Sequence, residues 1–265
     1  MPMRPKIGLA LGAGGAKGLA HIGVLQVLTN ENIPIDMIAG SSMGAIIGAA
    51  YAAGADLQLM EKLALNLNQA LFLDVNLPRL GLLKGDNAMA IIRLLTHNKK
   101  FSELNIPLAI VATDIERGEK VIFREGDVAS AVRASMSVPG VFNPVCINDR
   151  LLVDGAVTER LPVGILKEMG ADIIIGVDVK LWSPQKIEIN NIYAVIMQSI
   201  EIMEREACKP CLELCDVIIN PDVSDISTAD FSKAGECIKR GRLAAENKIE
   251  LIKRVIEGFA PKHNC

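Results

Sequence analysis

Gly40-Ser41-Ser42-Met43-Gly44 sets a serine midway between two glycines. A Gly-x-Ser-x-Gly run suits a sharp turn from strand to helix. Small flanking residues let the backbone fold tightly, and the central serine stands exposed at a helix N-terminus, where its hydroxyl can attack a carbonyl carbon. The neighbours agree with that turn: Met37-Ile38-Ala39 precedes it as a short strand, and Ala45-Ile46-Ile47-Gly48-Ala49-Ala50 follows as an apolar helix. The chemistry expected is ester cleavage with Ser42 as nucleophile. The plainer reading is a turn in which Ser41 or Ser42 only caps a buried helix.

A second glycine-rich turn, Gly12-Ala13-Gly14-Gly15-Ala16-Lys17-Gly18, also joins a strand to a helix. Without Cβ atoms in the way, backbone N–H groups there can face a ligand. They could cradle a phosphate or hold the oxyanion of a tetrahedral intermediate. The phosphate motifs fit badly: Lys17 is followed by Gly18 rather than Ser or Thr, and a Gly-x-Gly-x-x-Gly run from Gly12 would need glycine where Lys17 stands. Tight packing of the helix on the strand is the third use of such a loop.

A serine nucleophile needs a base. The chain has three histidines. His21 lies one turn into the first helix beside apolar residues, His97 precedes a pair of lysines, and His263 is in the terminal tail. Only His21 is near the glycine loop. The other bases available are carboxylates at the ends of apolar runs, Asp114, Asp154 and Asp178, where a parallel sheet gathers its active site. Asp154 has the more suitable surroundings, between Leu151-Leu152-Val153 and Gly155-Ala156, because a tight turn lets its side chain project.

These residues must be positioned by alternating strands and helices. Strands are expected at 6–11, 37–39, 107–112, 120–123, 172–179 and 217–220, and helices at 19–30, 43–53 and, as one long charged helix, 229–257. The run Asp-Ile-Ile-Ile-Gly-Val-Asp-Val at 172–179 is the clearest buried strand. The alternation predicts a mostly parallel sheet with helices on both faces. The leucine-rich stretch 71–85 could be a lid over an acyl pocket or ordinary core, and 182–191 is a second candidate mobile segment.

Composition narrows the class. The chain has 265 residues, half of them hydrophobic, and a formal net charge of -3, which suits a single α/β domain over 1–265. No basic stretch supplies phosphate contacts, and aromatics are only 3%, so nucleic acid is not an expected partner. The apolar run after the first six residues is too short for a signal peptide and reads as the first strand. No stretch resembles a membrane span. Six cysteines are too few for a disulfide framework in a chain this long. Cys208, Cys211 and Cys215 could share a helix face, but Pro210 is expected to interrupt that helix, and no second pair completes a zinc site. A cytoplasmic protein that makes transient contact with a membrane surface is expected.

Taken together, the loop Gly12 to Gly18, the elbow Gly40 to Gly44 and the turn Asp154-Gly155-Ala156 resemble the patatin-like phospholipase family, in order and in spacing. Leu19-Ala20-His21-Ile22-Gly23-Val24-Leu25 and the run from Ala134 to Phe142 are similar to its bacterial branch. The resemblance implies a three-layer α/β/α sandwich and a Ser-Asp dyad: Ser42 as nucleophile, Asp154 as general base, and the amides of Gly14 and Gly15 as oxyanion hole. Gly12, Lys17, Gly18, Gly40, Gly44 and Gly155 would support the loop and elbow. It also implies lipid or other ester substrates and no metal or organic cofactor. Lys17 stands where the family usually has arginine; it keeps the charge and loses the planar fork. The reading from another class is a non-catalytic regulator of the same fold that binds lipid or a protein partner.

Overall fold

The computed structural model describes residues 4–66, 81–180 and 189–259. Its strands are β1 (Ile7–Leu11), β2 (Met37–Ser41), β3 (Gly81–Leu83), β4 (Leu108–Asp114), β5 (Glu119–Phe123), β6 (Gly140–Phe142), β7 (Val145–Ile147), β8 (Arg150–Asp154), β9 (Ile173–Val177) and β10 (Val217–Ile219). Its helices are α1 (Ala20–Asn30), α2 (Met43–Ala52), α3 (Leu57–Asn66), α4 (Asp86–Leu95), α5 (Val128–Ser135), α6 (Val163–Glu168), α7 (Ile192–Leu212), α8 (Ala234–Glu246) and α9 (Ile249–Glu257).

The main sheet runs β10-β9-β1-β2-β4-β8-β7, with β5 also paired to β4. The first five strands in that order are parallel. The far end is antiparallel, where β8 and β5 pair with β4 and β7 pairs with β8. Side chains alternate across the parallel strands. Leu9, Ile38, Ile110 and Ile175 join the larger core under α1, α2 and α8, while Ala10, Ala39, Ala109 and Ile174 face α6 and α7. Because successive strand residues point to opposite faces, both faces of the sheet are covered. The result is the expected three-layer α/β/α sandwich.

Some elements differ from expectation. β2 continues through Gly40 and Ser41, so the elbow begins inside the sheet. The expected helix 229–257 is two helices: Asn247 and Lys248 close α8 before α9 begins. Asn interrupts a helix readily because its amide competes with the backbone. The expected break at Pro210 does not occur, because α7 runs through it to Leu212. A proline this near the end removes one helical hydrogen bond where few remain to be disrupted. Of the expected lid, only 81–85 lies among the described residues: 81–83 form β3, paired with β6, and Gly85 caps α4. The second candidate mobile segment likewise falls largely outside the described residues, which include only 189–191 of it.

Glycine sets the closest approach between helices. A Cβ on Gly23 of α1 would come within 2.0 Å of the Ile238 carbonyl oxygen of α8. One on Gly241 of α8 would come within 2.1 Å of the Ala20 carbonyl oxygen of α1. The two helices therefore meet backbone to backbone.

Candidate active site

The elbow is as tight as its sequence predicts. Ser42 sits between β2 and α2 with φ 53° and ψ -121°, a positive-φ conformation that costs a non-glycine residue about 1–3 kcal/mol. Glycine is required on both sides. A Cβ on Gly40 would lie 2.7 Å from the Gly44 carbonyl oxygen, and one on Gly44 would lie 2.1 Å from the Leu11 carbonyl oxygen. The Ser42 N–H donates to Ser135 Oγ at 2.9 Å, which pins the turn to the end of α5.

Asp154 arrives from the other side, at the end of β8. Ser42 Oγ donates to its Oδ2 at 2.7 Å, and the Ala156 N–H donates to its Oδ1 at 2.8 Å. The Asp154 backbone is fixed as well: its N–H donates to the Ser137 carbonyl at 2.9 Å and its carbonyl accepts from Thr113 Oγ1 at 3.0 Å. Gly155 allows this turn, since a Cβ there would sit 2.3 Å from the Val111 carbonyl oxygen. Burial pushes the Asp154 carboxyl up to about 7, against the opposing pull of the Ala156 N–H and the Ser42 hydroxyl. A carboxylate with that affinity for a proton can take one from a hydroxyl at neutral pH far more readily than an ordinary aspartate.

The glycine loop faces the same pair. Ala13, Gly14 and Gly15 line a cavity of about 630 Å³ together with Ser42 and Asp154. Gly12 N–H donates to the Val177 carbonyl, Ala13 N–H to that of Arg160, and Ala16 N–H to that of Thr228. Among the described residues, the N–H groups of Gly14 and Gly15 between them have no acceptor. Gly15 has φ +53°, and a Cβ on Gly14 would strike Val179 at 2.3 Å. Gly18 gives α2 room, since a Cβ there would lie 2.6 Å from Met43 Cβ. Lys17 reaches away to the Ser224 carbonyl at 3.4 Å, so it anchors the loop from outside.

The remaining candidate bases are occupied elsewhere. His21 Nε2–H donates to the Gly12 carbonyl at 2.8 Å, and burial lowers its imidazole to about 4. It is a neutral peg under the loop. His97 is exposed, and His263 lies outside the described residues. Asp114 pairs with Arg117 at 2.8 Å, and Asp178 forms a buried two-bond pair with Arg160 at 2.9 and 2.7 Å. Asp154 does not end a parallel strand, as expected, but an antiparallel one; β8 enters the sheet from the opposite direction and delivers it beside the elbow.

Leu19, Ile22, Ile46, Ile92, Met136 and Phe142 make the cavity wall chiefly apolar. Its polar exception was missed in the sequence. Lys180, just past β9, lies 3.3 Å from Glu201 and 3.1 Å from Glu204 of α7, and all three line the cavity. Only the position of Lys180 after a buried strand could have marked it. Ser135 was missed too, although it lies in the run that carried part of the family resemblance. Among the described residues no group of three His, Cys, Asp or Glu could hold a metal.

A three-layer α/β/α sandwich with a serine elbow, an adjacent aspartate and a glycine loop at the ends of its strands is the class of α/β protein that the fold and site define. Residues 9–167 match the family model of patatin-like phospholipases, and the chain belongs to that family. It is 38% identical over 178 residues to an uncharacterized NTE family protein of Mycobacterium bovis, covering 66% of this chain and 49% of that one. The chain thus spans about half the length of this relative. It is 30% identical to a protein named lysophospholipase nte1 from Aspergillus niger, over 96% of this chain and 18% of that one. Its fold is similar to that of VipD from Legionella pneumophila, with a TM-score of 0.65, 13% identity, and coverage of 94% of this chain and 67% of that one.

Proposed function

We propose that this protein is a serine ester hydrolase that cleaves acyl esters of lipids through a covalent acyl-enzyme. The observation that carries this reading is the 2.7 Å hydrogen bond from Ser42 to Asp154 in the wall of an apolar cavity. Asp154 takes the Ser42 proton as the hydroxyl attacks the ester carbonyl. The Gly14 and Gly15 N–H groups receive the oxyanion, and the N-terminus of α2 adds its positive dipole end. The alcohol leaves with the proton from Asp154. Water then attacks the acyl-enzyme, with Asp154 again the base and Ser42 released.

The apolar cavity suits a hydrocarbon chain rather than a charged acyl group. Lysophospholipids are the first substrates to assay, because a relative carries that name. α7 also turns an apolar stripe outward, formed by the exposed Ile192, Val195, Ile196 and Met203. Its other face, with Ala194, Met197 and Ile200, lines the cavity. We infer that this outer stripe meets the lipid surface from which substrate enters. Among the described residues, no helix is long and apolar enough to cross a membrane.

The test is labelling with a fluorophosphonate probe together with turnover of a chromogenic short-chain ester. Ser42→Ala should lose the label, and its turnover should fall by at least about a thousandfold. Activity that survives Ser42→Ala would show the nucleophile to be elsewhere.

A further inference from the structure

Cys208-Lys209-Pro210-Cys211 occupies the end of α7, on the sheet face opposite α1 and α2. The two sulfurs are 3.2 Å apart, and the Cys211 thiol also lies 2.9 Å from the Cys208 carbonyl oxygen. Residues three apart in a helix have Cα atoms about 5 Å apart, inside the range of roughly 4.4–6.8 Å that a disulfide spans. Pro210 has no N–H, so this turn already lacks one helical bond and can tighten. Cys215 is not a competing partner. It packs on Gly176 of β9, where a Cβ would come within 2.6 Å of its sulfur, and burial pushes its thiol up to about 12.

The surroundings distinguish the two thiols. The Cys211 thiol, donating to the Cys208 sulfur, and the Arg160 guanidinium draw the Cys208 thiol down to about 7 against the effect of burial. The same contact, with burial and the nearby Glu159, pushes the Cys211 thiol far up. Arg160 is itself buried. Two of its nitrogens bind Asp178, and among the described residues its Nε–H lacks a partner of ordinary hydrogen-bond geometry.

This cluster lies directly behind the glycine loop. The Arg160 carbonyl accepts the Ala13 N–H at 2.9 Å, and the carbonyl of Val177, next to Asp178, accepts the Gly12 N–H at 3.1 Å. The Arg160–Asp178 pair therefore ties together the two segments that hold the loop.

We propose that Cys208 and Cys211 form a reversible thiol–disulfide site, oxidised by peroxide, whose closure weakens the hold on the Gly14–Gly15 loop. Hydrogen peroxide has to reach a Cys208 that is 2% exposed, past the half-buried Cys211. The Cys208 thiolate attacks one peroxide oxygen; the O–O bond breaks, the departing hydroxide takes up the proton that Cys208 released on ionising and becomes water, and Cys208 becomes a sulfenic acid. The Cys211 sulfur then attacks the Cys208 sulfur. The S–S bond forms, the S–O bond breaks, and the departing hydroxide takes the Cys211 proton as water. Two thiols are oxidised and one peroxide is reduced to two waters. Closure draws the Cys208 sulfur toward Cys211 and removes its negative charge from Arg160. An added dithiol reverses the reaction by exchange.

The test uses the full chain carrying Cys146→Ser, which removes an exposed thiol. After peroxide and alkylation, the peptide containing Cys208 and Cys211 should be unalkylated and two hydrogens lighter, and dithiothreitol should restore both thiols. Fluorophosphonate labelling of Ser42 should slow severalfold on oxidation and recover on reduction. Adding Cys211→Ser should abolish the disulfide and the reversible slowing. If both thiols remain unpaired after peroxide, or if the disulfide forms with Ser42 labelling unchanged, the proposal is overturned. The labelling readout rests on the function proposed above, whereas the mass readout does not. Failure of Ser42 to label in the reduced protein would overturn that function and leave the thiol pair to be decided by mass.

Discussion

A carboxyl group sealed beneath a helix end holds its proton more tightly than one in water. In the folded protein Asp154 titrates at about 7 instead of 3.8, so its ionisation at neutral pH opposes folding. The sign follows from proton binding: between those values the folded state binds the extra proton, so this group's contribution to stability falls as pH rises through 7. Asp154→Asn, which stays neutral, should be more stable than the parent at pH ~8, by up to about 4 kcal/mol. The gain should vanish near pH 4, and denaturant titrations at both pH values measure it. In the proposed mechanism turnover needs the ionised form, so kcat/KM of the parent should rise with pH about a midpoint near 7. The variant should lose about 10²–10⁴-fold at pH ~8, and the gap should narrow as the pH falls below the midpoint. Ser42 and Asp154 were legible in the sequence because each sits in a turn whose glycines announce it. Ser135 and the Lys180, Glu201 and Glu204 group were not. They reach the site through contacts between distant segments, and local pattern carries no trace of those.

At the scale of elements, glycines decide which backbones can touch. Gly23 and Gly241 let α1 and α8 cross in contact, and α1 carries His21, the peg under the glycine loop. Gly241→Ala should destabilise the fold by about 1–3 kcal/mol through overpacking against backbone that cannot yield. Gly164→Ala in α6 is the control. Its Cβ meets nothing nearer than 4.0 Å, so it should stabilise by about 0.5–1 kcal/mol. Chemical denaturation of the two variants separates these effects. Continuous apolar runs such as 173–177 mark strands in the sequence because they are buried on both faces of the sheet. The reading of 229–257 as one helix failed because the apolar spacing continues across Asn247 and Lys248, so periodicity alone could not mark the break.

For the whole molecule, α7 is the element that joins inside to outside. Ile192 is 79% exposed, on the stripe that faces away from the cavity. Ile192→Asp with Ile196→Asp should leave turnover of a dissolved short-chain ester unchanged. Turnover of the same acyl group presented in phospholipid vesicles should fall about tenfold or more. An equal fall on both substrates would place the stripe's role inside the protein rather than at a lipid surface. The layered architecture was legible because alternating runs of strand and helix leave few ways to cover a parallel sheet.

The two buried titratable groups flanking the glycine loop have a joint consequence. Near pH ~5.5 in the unfolded chain, an ordinary imidazole is largely cationic and an ordinary carboxyl anionic. In the fold His21 titrates at about 4 and Asp154 at about 7, so both are neutral there. Folding in mild acid therefore transfers a proton, in effect, from imidazole to carboxyl, and the net charge of the chain does not register the exchange. The site collapses a zwitterion as it forms, and their opposite pH dependences largely offset each other between about pH 4 and 6.5.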